Sequence, residues 1–497
     1  MRKNRLDPRP ANRSGQILFF LFAALAAVLS LTVCTKSSFL YPLNDWVDVH
    51  CYFTVGRGIL HGMVPYRDLY EQKGPLVYFL YYLAACVSEK SFLGVYLLEC
   101  VCFACFLYLS GKIAETLSDL RGAFWPAVPA LAILIPVSPA FSHGGSAEEL
   151  FLPVFALEMW VVFRAIHRNT ALTNREAVLL GLCFAAALWT KYTFCGLSVG
   201  MGLAVILWYI SEGRARALPG TACFFLLGVV LLSIPVIGWF AAHGAADDLW
   251  QTYFVNNLAR YSQNIRSGIY DPPLLNLLNN LTWSVPAMIG LIWMLLKSKQ
   301  NRWEAAAAWL GAVSLFVFTY FNKRRYPYYA LVLSVFAPPG ISALCRIVNS
   351  ALKDKEQLLR RLTAAVTVIL LLFTPILTYT LSSNTYLMKI PREDTPQYRF
   401  AKTIRESDDP SLLNCGFLDG GFYFAAGVLP EQRYFCTLNI DLPEMNEAIQ
   451  QSIRQGETAF VITRQRPLQD AAAYRLADEC SMVFEGREWK YYLYQRR

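Results

Sequence analysis

Residues 75–87 read PLVYFLYYLAACV, an unbroken apolar stretch following Lys73 and Gly74. Whether it crosses a bilayer decides which side of the membrane every later loop faces. At 1.5 Å per residue its roughly 13 residues cover about 20 Å, short of the ~30 Å hydrocarbon core. Charge parity points the same way. If the segment does not cross, the clusters Arg164/Arg168/Arg175, Arg214/Arg216, Lys297/Lys299/Arg302 and Arg346/Lys353/Lys355/Arg360/Arg361 share a side with the basic N-terminus. If it crosses, all of them face outward, against the rule that cytoplasmic loops are the basic ones. The segment is therefore expected to lie along, or dip into, the outer leaflet.

The rest of the chain supplies the membrane. Of 497 residues, 55% are hydrophobic and 16% charged, with a mean hydropathy of +0.34. Soluble globular proteins carry about 25% charged residues. Apolar runs are expected to span at 17–34, 92–110, 123–141, 150–166, 176–190, 193–210, 219–241, 282–296, 304–321, 328–345 and 362–381. The fold class expected is mainly α, a polytopic bundle of about eleven transmembrane helices. Arg2, Lys3, Arg5, Arg9 and Arg13 precede the first run, which reads as a signal anchor with its N-terminus inside. The net charge of +9 is spread over short loop clusters, not gathered in a patch, so nucleic acid is not an expected partner. Cys100, Cys102 and Cys105 fall inside one apolar run without a histidine nearby and read as small packing residues.

Two units follow, a transmembrane domain over 1–382 and a C-terminal domain over 383–497 on the extracytoplasmic face. The tail is polar enough to fold in water. Strands are expected at Thr458–Thr463 and Trp489–Tyr494 and a helix at Glu444–Arg454, a small α/β domain. The other outward regions are the loops 35–91, 142–149, 242–281 and 322–327.

Those outward loops hold the chemistry-bearing residues. The first contains Asp45 and Asp48, then Tyr52, then Pro65-Tyr66-Arg67-Asp68 and Glu71-Gln72-Lys73-Gly74-Pro75. Its stretch 47–60 has helical apolar spacing and is expected to lie flat at the interface, holding Asp48 at the membrane surface. The second, His143-Gly144-Gly145-Ser146-Ala147-Glu148-Glu149, is too short to wander and pins its acids at the boundary. Glycines and prolines bracket these acids, and an ionised group at membrane level is costly without a wet cavity or a partner. Lys323, Arg324 and Arg325 precede Tyr326-Pro327-Tyr328-Tyr329 and can clamp a lipid phosphate, as can Lys191 at the turn Trp189-Thr190-Lys191-Tyr192.

Asp48, Tyr52, Gly58, Gly62, Pro65-Tyr66-Arg67-Asp68 and Lys73-Gly74-Pro75-Leu76 together resemble the opening of bacterial GT-C glycosyltransferases. These are the relatives of protein O-mannosyltransferases and the lipid A aminoarabinose transferase. Gly145-Ser146-Ala147-Glu148 before Leu152-Pro153 is similar to the second acidic loop of that superfamily, and Lys323 to Tyr329 to its basic loop. The resemblance spans residues 15–345 and implies transfer of a sugar from a polyprenyl-phosphate carrier to a glycan, lipid or protein acceptor, with inversion. It implies Asp48 as general base, Glu148 as the residue that orients a substrate, and Lys323, Arg324 and Arg325 as the phosphate clamp. Asp68, Glu71 and Lys73 are further candidates, and Asp45 competes with Asp48 for the base. Some members use a divalent ion and others none; carboxylates without a histidine cluster would favour Mg2+ or Mn2+. A lipid-glycan flippase or transporter would show matching broken helices in two halves. A glycan polymerase or ligase would differ mainly in acceptor.

Overall fold

The computed structural model describes residues 13–260, 272–320, 326–440, 442–469, 472–484 and 486–497. Lys323, Arg324 and Arg325 lie outside the described residues. The apolar runs form helices α1 (Arg13–Cys34), α4 (Leu93–Ser118), α5 (Phe124–Leu134), α6 (Ala147–Arg168), α7 (Asn174–Thr190), α8 (Cys195–Ser211) and α9 (Leu218–Ala242). Between the first two lie α2 (Val47–Leu60) and α3 (Pro75–Val87). Later helices cover Leu281–Leu296, Ser298–Tyr320, Ala337–Ala351 and Glu356–Leu381. Among the described residues eight helices are long and apolar enough to cross a membrane. The count is nine if Pro273–Asn279 and Leu281–Leu296, bent by 107°, form one span. The chain is a multi-pass membrane protein.

Side-chain pairs test the parity argument. Tyr108 donates to Gln16 Oε1 at 2.5 Å, near the start of α1, while Thr32 and Tyr96 share a hydrogen bond of 2.7 Å near its end. So α1 and α4 are antiparallel neighbours, and α4 begins at the bundle end where α1 stopped. The segment 75–87 makes no net crossing between them. It forms a 13-residue helix with Gly74 as N-cap and Pro75 in its first turn, where the missing N–H costs nothing.

α5 is shorter than its apolar run. It stops at Leu134 ahead of Pro136 and Pro139, neither of which can donate a helical N–H. It still runs beside α1, with Phe19 stacked on Phe124 at 4.5 Å and Ser30 donating to Ala132 O at 2.5 Å. The far end of the bundle is tied by His167, 2.7 Å from Asp119 and 2.8 Å from Glu304, with Arg346 3.1 Å from Asp119. At the near end Asn384 donates to Cys34 O and Ser142 O, both at 2.7 Å, so the exit from the last helix meets the end of α1 and the second loop.

The C-terminal region carries a four-stranded sheet in the order β1-β2-β4-β3, from β1 (Leu412–Cys415), β2 (Phe460–Arg464), β3 (Tyr474–Phe484) and β4 (Arg487–Arg496). β1 pairs parallel with β2 and the other neighbours are antiparallel. β4 contains the strand expected at Trp489–Tyr494, and β2 overlaps the one expected at Thr458–Thr463, starting two residues later; β1 and β3 complete the sheet. The helix Pro443–Gln455 buries Met445, Ile449 and Ile453, an i, i+4, i+8 stripe.

This region changes the setting of α2. A helix lying flat at an interface keeps one face toward water, but α2 is buried continuously from Asp48 to Gly58. The C-terminal region covers its second face. Thr54 donates to Asp419 at 2.6 Å, Arg57 donates to Val428 O at 3.3 Å, and Phe424 packs on His50 and Phe53. Burial holds the His50 imidazole below its ordinary range. A buried hydrogen bond to a carboxylate such as Asp419 is worth about 1.5–3 kcal/mol. α2 is therefore clamped between bundle and tail.

Candidate active site

Asp48 occupies the first turn of α2, where a helix N-terminus favours negative charge. Its Oδ2 accepts from Tyr328 Oη at 3.0 Å and from Tyr52 Oη at 3.3 Å, and Lys73 Nζ stands 3.6 Å away. Oδ1 accepts no hydrogen bond among the described residues. Burial and the adjacent carboxylate push the Tyr52 phenol well above its ordinary value, so it stays a donor. Tyr328 comes from the 3₁₀ helix Pro327–Phe336, immediately after the basic loop.

The backbone of Lys73 is fixed from three directions. Its N–H lies 2.9 Å from both Glu71 Oε2 and Tyr78 Oη, and its carbonyl accepts from Tyr66 at 2.6 Å. Tyr78 also donates to Glu71. Glu71, 1% exposed, thus holds the lysine's main chain.

Glu148 opens α6, whose N-cap Ser146 accepts from Glu149 N at 2.9 Å while Glu149 accepts from Gly145 N at 2.8 Å. Gly144 and Gly145 have φ of +83° and +80°, and a Cβ on Gly144 would stand 2.1 Å from Thr35 Oγ1. Only glycine fits that bend. Lys191 Nζ donates to Glu148 Oε1 at 2.6 Å and lies 3.5 Å above the Tyr329 ring. Glu148 Oε2 is buried with no partner among the described residues.

Both lysines line one small cleft, with Gln72, Gly74, Thr190, Tyr192, Thr193, Tyr253, Asn257 and Tyr329. Gly74 N–H donates to Thr190 O at 3.1 Å, and a Cβ at Gly74 would fall 2.1 Å from Trp189 O. Main chain packs directly on main chain there. The middle loop closes the cleft through a turn of π-helix, Trp250–Asn256, and Asn257, which donates to Gln72 O at 2.7 Å.

The fold thus brings Lys73 and Lys191 to one cleft, with Asp48 and Tyr52 beside the first lysine and Glu148 bound to the second. Asp45 is paired with Lys36 at 2.7 Å and has His143 at 4.0 Å. Asp68 lies on an exposed turn, bound to Arg67 at 2.8 Å, and that guanidinium holds its carboxyl below the usual range. Sequence reasoning missed Tyr328 as a partner of Asp48, and Tyr253 and Asn257 as cleft residues. The Pro-Tyr-Tyr after the basic loop was the available signal for Tyr328; the middle loop offered none.

No protein-family model matches the chain, and no curated protein sequence matches it. Solved structures do. ArnT from Cupriavidus metallidurans bound to undecaprenyl phosphate superposes with a TM-score of 0.59 at 12% identity, covering 97% of this chain and 98% of that one. Its apo form gives 0.62 over the same shares. The archaeal oligosaccharyltransferase AglB from Archaeoglobus fulgidus, in complex with an inhibitory peptide and a dolichol-phosphate, gives 0.53 at 11% identity, over 90% and 69%. The chain has the GT-C fold of these proteins.

Proposed function

We propose that this chain is a membrane glycosyltransferase that moves a sugar from a polyprenyl-phosphate carrier to an acceptor hydroxyl at the extracytoplasmic face. The observation that carries the reading is that the two lysines lining one cleft, Lys73 and Lys191, each stand beside a buried carboxylate, Asp48 and Glu148. Similarity to structures holding undecaprenyl phosphate and dolichol-phosphate supports the kind of donor. Residues 383–497 form an extracytoplasmic domain in this reading, and the N-terminus is cytoplasmic.

The acceptor oxygen attacks the anomeric carbon as the bond from that carbon to the phosphate oxygen breaks. Asp48 Oδ1 takes the acceptor's proton, with Tyr52 and Tyr328 fixing the carboxylate through Oδ2. Lys73 and Lys191, joined by Lys323, Arg324 and Arg325, stabilise charge on the departing lipid phosphate. Glu148 orients a substrate through its unpaired oxygen. One displacement inverts the anomeric centre.

In this reading no metal takes part: Asp48 and Glu148 face Lys73 and Lys191, whose ammonium groups compete with Mg2+ or Mn2+ for the same oxygens. Among the described residues no three His, Cys, Asp or Glu side chains gather as a metal site. The described residues contain one sharply bent helix pair, whereas a transporter built on broken helices needs two in matching positions.

The deciding experiment is sugar transfer from a polyprenyl-phosphate donor by Asp48→Asn protein in membranes. Activity should fall by about 10²–10⁴-fold with insertion intact; full activity would remove Asp48 as the base. Mass spectrometry of surface glycans and lipid-linked sugars from a deletion strain would name sugar and acceptor, and would separate transferase from polymerase or ligase.

A further inference from the structure

Cys51 stands on α2, three residues beyond Asp48, and Cys436 stands in the C-terminal region, 385 residues away in sequence. Their Sγ atoms are 4.0 Å apart, and the residues are 0% and 1% exposed. No other two cysteine sulfurs are in contact among the described residues.

Both supports are rigid. Cys51 is mid-helix in a wholly buried helix. Cys436 follows Phe435, whose carbonyl accepts from Tyr423 at 2.7 Å, and precedes Thr437, which donates to Phe417 O at 3.0 Å. A disulfide needs about 2.05 Å between sulfurs, so a closure of about 2 Å is required, within the reach of side-chain rotation.

We propose that Cys51 and Cys436 form a disulfide that fastens the C-terminal region to the helix carrying Asp48. The inference rests on the extracytoplasmic orientation given above, because that compartment is the oxidising one, and does not depend on sugar transfer. The two thiols surrender two electrons and two protons to the disulfide of an extracytoplasmic thiol–disulfide oxidoreductase, which leaves as a dithiol. A mixed disulfide at one cysteine is the intermediate, resolved by attack of the other. Burial raises both thiols above their ordinary range and closes the seam to reagents, so the bond forms as the tail docks, before the seam is sealed.

The test uses full-length protein in native membranes. Free thiols are alkylated with N-ethylmaleimide in denaturing detergent without reductant, and the digest is examined by mass spectrometry before and after reduction. A linked peptide pair containing Cys51 and Cys436, lost on reduction, is expected. Both cysteines alkylated while a reporter after residue 383 reads external overturns the disulfide and leaves the orientation standing; an internal reporter overturns both. In Cys51→Ala, Cys436 should become alkylated in denaturant, and release of the C-terminal region by trypsin should accelerate on the order of tenfold. An unchanged rate removes the fastening role.

Discussion

Asp48 and Glu148 each face one of the two lysines that line the cleft, yet the two pairs are built differently. Lys191 donates to Glu148 at 2.6 Å, its Nζ also lies over the Tyr329 ring, and the glutamate side chain is 1% exposed. Lys73 stands 3.6 Å from Asp48, both side chains are slightly open at 11% and 12%, and two tyrosines supply the aspartate's hydrogen bonds. The first is a closed ion pair that fixes a charge in place. The second is a loose one, oriented by neutral donors, with an oxygen left to receive a proton. In the proposed reaction the short pair holds Glu148 fixed while its buried Oε2 meets a substrate group, and the looser pair leaves Asp48 Oδ1 to take a proton.

The contrast can be broken by comparing the two amides. Asp48→Asn should lower turnover by about 10²–10⁴-fold. Glu148→Gln should lower it by about tenfold and act mainly on KM, since the amide still offers an oxygen to Lys191. Equal losses in kcat would mean that the roles are shared or exchanged. Stability should separate the lysines in the opposite sense. Lys191→Ala leaves a buried carboxylate unpaired and should destabilise by about 3–5 kcal/mol in a detergent-melt assay. Lys73→Ala, with Asp48 still held by two tyrosines, should cost about 1 kcal/mol. Tyr328→Phe, which removes the 3.0 Å bond, should reduce kcat by about tenfold, more than Tyr52→Phe at 3.3 Å. The smallest effect expected is that of EDTA, which should leave the rate unchanged; rescue by Mg2+ or Mn2+ after chelation would overturn the metal-free reading.

What the sequence made legible follows from the range of the forces involved. Apolar run length and loop charge act locally, and they located the helices and the non-crossing character of residues 75–87, which the antiparallel pairing of α1 and α4 supports. β-branched and aromatic content marked β2 and β4. The loop acids were also readable, because Gly144, Gly145 and Gly74 mark shaped backbone around them. What escaped was long-range. Tyr328 reaches Asp48 across 280 residues, Asn257 reaches Gln72 across 185, and Asp419 reaches Thr54 across 365. No periodicity encodes such pairings. The full burial of α2 escaped for the same reason, since its amphipathic spacing is equally suited to a membrane surface and to a protein partner. Asp45 and Asp48, three residues apart, were indistinguishable until Lys36 was found on one and the two tyrosines on the other.

The main-chain contact at Gly74 has a further consequence. Lys73 is its neighbour, Lys191 is the neighbour of Thr190, and the two backbones already touch. The spacing of the two lysine backbones is therefore set by a peptide-on-peptide contact, and side-chain rotamers alone place the ammonium groups. If the proposed donor binds here, a jaw fixed at the main chain leaves the fit of its headgroup to the rim residues Tyr192, Thr193, Tyr253 and Asn257. In the proposed reaction, selectivity would then shift by substitution at the rim, with the jaw kept.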